Sequence, residues 1–203
     1  VLNRVKPERD LNAEPYRRLN WWLFGRKNTE LRTALKGLPR YIATVETTKH
    51  RTFQFLDASV LPDNMLIAIA LNDALALGIL SSTLHADWSL ATGGTLEDRP
   101  RYNKTRCFET FPFPADDTGF DANSPLATTI RARAEAIDAH RKQVLASAAG
   151  QQAGLTLTGL YNVLDALRAG CPSSAKEKLH HDTGLLGVLQ SLHDELAPAG
   201  LQA

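Results

Sequence analysis

The chain has 203 residues, of which 43% are hydrophobic and 22% charged, and this composition excludes a disordered tail. It is long enough for one large domain, or for a medium domain and a smaller one. The formal net charge of +1 argues against a strongly basic nucleic-acid binder, although residues 1–37 carry +5, residues 38–107 are neutral and residues 108–203 carry −4.

The cysteine pattern and the apolar runs bear on the cellular compartment. Cys107 and Cys171 lack metal-ligand spacing and no signal-peptide pattern precedes them, so we expect reduced thiols in a cytoplasmic protein. The longest apolar run, from Met65 to Leu71, is too short to span a bilayer, and no membrane role is expected. Because the first residue is Val1 and not methionine, we also expect the chain to be part of a longer polypeptide.

The first half of the chain predicts helices followed by strands. Pro15 to Phe24 and Thr29 to Leu35 have helical signals, with Asn28 or Thr29 as the cap of the second helix. Arg40 to Thr47 and Arg51 to Leu56 are rich in β-branched and aromatic residues, which predicts a hairpin or neighbouring strands. A buried strand is expected from Met65 to Ala70.

The next segment predicts one helix and then a loop. Apolar residues recur every three or four positions between Asp73 and Leu90, which is the period of a helix with one buried face. Gly93 and Gly94 end this pattern, and a charged loop to Asn103 is expected. The following stretch, Phe108 to Pro114, alternates aromatic residues and ends in prolines.

The last third of the sequence predicts a small helical bundle. Helices are expected from Ser124–Pro125 to about Ala148, from Thr156 or Thr158 to Arg168, and from Gly184 to Leu196. The predicted fold class is therefore α+β, with a small mixed sheet and packed helices in residues 1–118 and a helical bundle in residues 119–203.

The charged loop contains two candidate base-reading residues. Arginine can donate two hydrogen bonds to the O6 and N7 edge of guanine, and a carboxylate can accept one from cytosine N4. Glu97 and Arg99 are two residues apart, so an extended segment would place both side chains on one face. The alternative is a solvated charged loop between two core segments.

Two groups of polar residues are candidates for DNA-backbone contacts, since cations and hydrogen-bonding side chains suit phosphate and sugar oxygens. One group is the tip of the predicted hairpin and the other follows the charged loop; the residues are Lys49, His50, Arg51, Arg101, Asn103, Lys104 and Arg106. An ordinary hydrophilic turn is the alternative for the hairpin tip, and Tyr102 could pack in the core.

No catalytic or metal site is predicted. Ser82 and His85 share a helix face, but Asp87 is only two residues from His85 and points elsewhere, so the three residues do not form a triad. We expect His85 to be a structural residue beside Trp88. His180, His181 and His193 lack metal-binding spacing and partner cysteines, and neither an adenine-methyltransferase motif nor a Gly-rich phosphate loop occurs.

Several short motifs in order resemble the target-recognition region of MmeI-like DNA methyltransferases, which are grouped with types IIG and IIL. They lie between about Arg40 and Pro114 and comprise Leu80–Ser82, His85, Trp88, Gly93–Gly94, Arg101–Asn103 and Phe108–Pro114. In this family the loop after the double glycine carries base-specifying positions, and a Glu-x-Arg arrangement there matches Glu97 and Arg99. Family members commonly have serine where this chain has Asn103.

The resemblance implies that this chain selects the DNA sequence for a larger protein. That protein would transfer a methyl group from S-adenosylmethionine to adenine N6, with its methyltransferase domain upstream in the same polypeptide, while these residues contact double-stranded DNA. We expect this chain itself to bind no cofactor and to have no catalytic residue. The alternatives are a protein-interaction module that docks through Trp21, Trp22 and the Phe-Pro segment, and a small hydrolase that uses Ser82 and His85.

Overall fold

The computed structural model describes residues 2–23 and 28–168. The chain divides into two compact units, one up to Gly37 and the other from Leu38 onward. The predicted helix from Gly184 to Leu196 and the three histidines at 180, 181 and 193 lie outside the described residues. None of the described helices is both long enough and apolar enough to cross a bilayer.

The first unit contains three short helices, α1 (Leu2–Asp10), α2 (Pro15–Leu19) and α3 (Thr29–Leu35). Helix α3 has the predicted bounds and Asn28 as its N-cap, whereas α2 ends earlier than predicted. None of the three helices has a buried residue. Trp21 and Trp22 pack edge to face with ring centroids 5.8 Å apart, and the Trp22 side chain is exposed.

A three-stranded antiparallel sheet is the centre of the second unit. Its strands are β1 (Arg40–Val45), β2 (Gln54–Asp57) and β3 (Leu66–Ile69), in the order β2-β1-β3. Ile42 of β1 lies opposite Phe55 on one side and Ile69 on the other. The predicted α+β class is confirmed, and both described sheets are antiparallel, not mixed.

Two helices, α4 (Ala74–Leu80) and α5 (Thr83–Thr92), replace the single helix predicted from Asp73 to Leu90. Asp73 caps α4, since its carboxylate accepts the N–H of Leu75 at 2.9 Å. Ser82 caps α5 in the same way by accepting the N–H of His85 at 3.2 Å. A side-chain acceptor at each start satisfies N–H groups that lack helical partners, and it separates the two helices.

A long helix, α6 (Pro125–Ala146), packs against α4 and the edge of the sheet. A Cβ atom at Gly78 of α4 would lie 2.5 Å from the Ile130 side chain, so glycine permits this close approach. At the sheet edge, the Asp138 carboxylate accepts the N–H of Phe55 at 3.1 Å, and Arg141 donates to the carbonyl of Phe53 at 2.8 Å. Helix α6 thereby satisfies backbone groups of β2, and of the residue before it, that β1 does not pair with.

Two further helices follow, α7 (Ala148–Gln152) and α8 (Leu157–Arg168). Val144, Leu155, Leu160 and Val163 form a second hydrophobic cluster at this end of the chain. The helices predicted after Ser124 and after Thr156 are confirmed, whereas α7 was not predicted. The domain boundary at 118 stays a prediction, because a third helix of the predicted bundle lies beyond the described residues.

Candidate nucleic-acid interface

The predicted charged loop is a short β-hairpin. Gly93 ends α5 by donating its N–H to the carbonyl of Ser89 at 3.0 Å. Strands β4 (Gly94–Leu96) and β5 (Arg99–Arg101) then pair, so that residues 97 and 98 form a two-residue turn. All three residues of β4 are exposed. We call this element the β4–β5 hairpin.

The turn places a glutamate in an unusual backbone conformation. Glu97 has φ 57°, in the left-handed region that hairpin turns normally fill with Gly, Asn or Asp. This conformation costs a residue with a side chain about 1–2 kcal/mol. Such strain is concentrated at functional sites, where another requirement retains the residue. The exposed Glu97 side chain is therefore of functional interest.

The two predicted base-reading residues are both exposed, but not in the predicted geometry. Glu97 belongs to the turn and Arg99 begins β5, so the inference that both lie in one extended segment is wrong. The Arg99 side chain is 64% exposed, and its guanidinium lies 3.9 Å from the carboxylate of the neighbouring Asp98. Neither predicted reader is buried in the protein.

The hairpin stands on a buried aromatic cluster. Tyr102, directly after β5, is 1% exposed, and its N–H donates to the carbonyl of Glu46 at 2.7 Å. Its hydroxyl bonds to His85 Nε2 at 2.9 Å. The His85 ring packs edge to face on Phe111, with centroids 4.4 Å apart, and Phe53 packs on Tyr102. These contacts connect the end of β5 to α5 and to the core.

His85 has a structural role, as predicted. It is fully buried, and burial, with a smaller effect of the Arg51 charge, lowers its pKa to about 4, so the ring is neutral at pH 7. Burial also raises the pKa of Tyr102. The Ser82 hydroxyl donates to the carbonyl of Ile79 at 2.6 Å and accepts from the His85 backbone. This arrangement removes the nucleophile–base contact that a hydrolase requires.

Arg51, which was predicted to contact the DNA backbone, donates its hydrogen bonds to the protein itself. Its guanidinium donates to the Thr44 hydroxyl at 3.1 Å, to the carbonyl of Val45, and to the carbonyls of Glu46 and Pro100, each at 3.3 Å. Burial lowers its pKa to about 10, so the group is still charged at neutral pH. These bonds engage four of its five N–H donors, which argues against a phosphate contact.

Lys49 and His50 are directed to α8. The Lys49 ammonium donates to the Asn162 amide oxygen at 2.9 Å, and His50 Nε2 lies 2.7 Å from the same oxygen. His50 Nδ1 lies 3.8 Å from the Asp165 carboxylate. Lys49 remains exposed and its partner is neutral, so its charge is available to a ligand, whereas His50 is held on both sides.

The cations after the hairpin differ in how strongly the protein binds them. Arg101 donates to the Glu46 carboxylate at 2.6 Å, although its side chain is 51% exposed. Asn103 caps a single π-helical turn, Lys104–Phe108, by accepting the N–H of Thr105 at 3.0 Å. Lys104 and Arg106 are exposed within that turn. The phosphate contacts predicted for these two residues stay a prediction, and their exposure is compatible with it.

The structure places the two groups of predicted DNA-backbone residues, one after β1 and the other at and after the end of β5, next to each other. Thr47 forms a β-bridge with Arg101, and the N–H of Thr48 donates to the carbonyl of Pro100 at 3.3 Å. The connection after β1 thus extends along β5. Sequence analysis missed this junction and the bonds of Arg51 and Asn162, because pairing between distant segments has no local signal. The only hint was that both groups have a similar polar composition.

Among the described residues, no group of three or more His, Cys, Asp or Glu side chains could hold a metal ion. The candidate site is therefore the exposed, charged β4–β5 hairpin, with cationic side chains beside it and the buried aromatic cluster beneath it.

Comparisons with known proteins find one family model and one solved structure that are similar to this chain. Residues 19–115 match the family model described as MmeI, target recognition domain. A solved structure of the type IIL restriction-modification enzyme MmeI in complex with DNA has a similar fold, with a TM-score of 0.61 and 21% sequence identity. The similarity covers 95% of this chain and 23% of that chain, so the chain spans about a quarter of that enzyme's length. No curated protein matches the sequence.

The family model and the solved structure thus agree on what this chain is similar to. Residues 19–115, which include the sheet, α4, α5 and the β4–β5 hairpin, are similar to the target recognition domain of MmeI. The resemblance inferred from the short motifs is confirmed.

Proposed function

We propose that this chain selects the DNA sequence for a site-specific DNA methyltransferase of a restriction-modification system. The observation that carries the proposal is the β4–β5 hairpin. Within the family segment, it exposes Glu97 and Arg99 at its turn while Tyr102, at its base, is buried. The DNA-bound state of the structurally similar MmeI enzyme supports double-stranded DNA as the ligand.

The side chains at the turn suit base reading in the major groove. Arg99 would donate to guanine, and Glu97 would accept from cytosine N4. The strained backbone of Glu97 supports a functional reason for a glutamate at this position. The major groove of B-DNA is wide enough to admit a two-stranded ribbon such as the β4–β5 hairpin.

The DNA-backbone contacts would come from cations beside the hairpin. Lys104 and Arg106 are the strongest candidates because both are exposed. Arg101 and Lys49 would contribute while keeping their protein partners. His50 and Asn103 are weaker candidates, since both already bond to protein groups.

The chemistry would belong to another part of the whole protein. By family resemblance, an upstream methyltransferase domain of the same polypeptide would bind S-adenosylmethionine and methylate adenine N6. The much greater length of the MmeI chain supports additional domains. The near-neutral charge of this chain is consistent with that division, because other domains would then supply part of the phosphate affinity.

Methylation-site mapping with the whole protein tests the proposal. Arg99→Ala should relax discrimination at one base pair, by about 1–3 kcal/mol, and leave S-adenosylmethionine binding intact. Arg133→Ala, which removes an exposed arginine from α6, is the matched control and should leave the site preference unchanged. An unaltered preference in the Arg99→Ala protein would contradict the proposed role.

The alternative of a protein-docking module has a different salt dependence. The exposed Trp22 side chain is the feature that favours it. DNA binding through phosphates weakens steeply as salt rises, whereas docking through aromatic side chains does not. A gel-shift series with a duplex at increasing salt therefore separates the two functions.

A further inference from the structure

Arg51 lies where two separate parts of the second unit meet. Its Nη1 group bonds to the Thr44 hydroxyl and the Val45 carbonyl, both in β1. Its Nη2 group donates at 3.3 Å to the carbonyl of Glu46, after β1, and to that of Pro100, in β5. One planar side chain thus connects the three-stranded sheet to the β4–β5 hairpin.

Few other contacts fix this junction. In the described residues they include the Thr47–Arg101 bridge, the ion pair between Arg101 and Glu46, and the backbone bonds that Thr48 and Tyr102 donate to Pro100 and Glu46. Strands β4 and β5 pair with each other over only three residue pairs, and β4 is fully exposed. A hairpin this short depends on its base for its orientation. Arg51 supplies two carbonyl contacts at that base, and its guanidinium lies 5.0 Å from the centre of the Tyr102 ring.

We propose that Arg51 is a positioning residue for base reading, and that it sets the orientation of the β4–β5 hairpin without touching DNA. This inference rests on the proposed function, because it requires Arg99 and Glu97 to meet base edges. Paired hydrogen bonds to a base tolerate displacements of only about 0.5 Å. Loss of the Arg51 hydrogen bonds would therefore reduce discrimination between base pairs more than it reduces overall DNA affinity.

Arg51→Lys in the whole protein is the principal test. Lysine keeps the positive charge, but its single ammonium group cannot span the acceptors that the guanidinium fork reaches on β1, Glu46 and Pro100. The ratio of affinities for the preferred and the altered base pair should fall about tenfold at the position that Arg99 addresses. A variant with a lower unfolding midpoint but an unchanged ratio would overturn the proposal.

Arg51→Gln distinguishes bracing from phosphate binding. A cation that contacts phosphate contributes about 0.9 to the slope of log K against log salt concentration. We expect Arg51→Gln to leave this slope unchanged, and Lys104→Gln, at an exposed position after the hairpin, to lower it. A lower slope for Arg51→Gln would show that Arg51 contacts phosphate and would overturn its proposed positioning role. Should Arg51→Gln not fold, Arg51→Lys, measured about 20 °C below its own midpoint, provides the test alone.

Arg99→Ala measured in parallel separates the two hypotheses. If Arg99→Ala relaxes discrimination and Arg51→Lys does not, the positioning role of Arg51 is wrong and the proposed function stands. If neither variant changes discrimination, the proposed function itself fails.

Discussion

Replacing Gly93 with alanine should displace the base of the β4–β5 hairpin. A Cβ atom at this position would lie 2.5 Å from the carbonyl oxygen of Ser89, 2.7 Å from that of Arg101 and 3.3 Å from the Cys107 sulfur. Carbon–oxygen contacts are normally no shorter than about 3.3 Å, so these groups would have to separate by roughly 0.6–0.8 Å. Both oxygens belong to the backbone, and no side-chain rotation can relieve the contact.

The expected cost follows from measured effects of overpacking. Adding a methyl group to a tightly packed site destabilises a protein by about 1–3 kcal/mol. For a chain of this length the unfolding midpoint changes by about 2–4 °C per kcal/mol, so Gly93→Ala should lower it by roughly 2–12 °C. The displaced hairpin should also discriminate less well between DNA sequences.

Gly94 provides a matched control one residue away. A Cβ atom there would meet nothing within 4 Å, so Gly94→Ala should change stability by no more than about 0.5 kcal/mol. Thermal unfolding followed by circular dichroism compares the two variants with the parent. Equal midpoints for Gly93→Ala and Gly94→Ala would refute the packing described at the hairpin base.

Three further predictions concern the turn, the sheet edge and pH. Glu97→Gly should relieve the left-handed strain, leaving the free energy of unfolding unchanged or higher by up to about 1 kcal/mol, while DNA discrimination falls; a lower free energy of unfolding with intact discrimination would contradict this. Asp138→Ala should lower the free energy of unfolding in urea by about 1–3 kcal/mol, because it leaves the buried N–H of Phe55 unpaired. Asp138→Asn keeps an acceptor and should cost less than half of that, so equal losses would contradict the contact between Asp138 and the sheet edge. The hydrogen bond from Arg40 lowers the pKa of Glu135. The stabilisation that ionised Glu135 gives to the folded protein is therefore complete above the ordinary glutamate pKa of about 4.3, and it is lost as the pH falls through the lowered value. The Glu135 side chain is 46% exposed, which limits the effect to about 1 kcal/mol, and Glu135→Gln should show a smaller fall in the urea midpoint between pH 7 and pH 3.

Local sequence signals were sufficient for much of the fold. Strand β1 was predicted from its β-branched and aromatic residues, and the start of α6 at Ser124–Pro125 from residue type and position. The break between α4 and α5 was missed because the apolar period continues across Ser81 and Ser82. The exposed Leu84 shows that this period did not define one buried face.

The candidate site was harder to predict than the strands. That Glu97 and Arg99 are exposed follows from their chemistry, but the hairpin was described as a loop because Glu-Asp is not a standard turn pair. The protein contacts of Arg51 were missed because a partly buried and an exposed arginine look the same in sequence. Only the pairing of distant segments, such as Thr47 with Arg101, shows which cations the protein itself engages.

Photocrosslinking from the hairpin turn tests most directly whether this element meets DNA bases. Asp98 lies between the two proposed readers and its side chain is 89% exposed, so a benzoylphenylalanine there leaves Glu97 and Arg99 in place. With the whole protein bound to a duplex that contains its methylation site, we predict adducts to bases within that site. The same probe at the exposed Arg133 of α6 should give none. Adducts only outside the site, or none from position 98 while the protein is bound, would contradict the proposal that the β4–β5 hairpin reads the sequence.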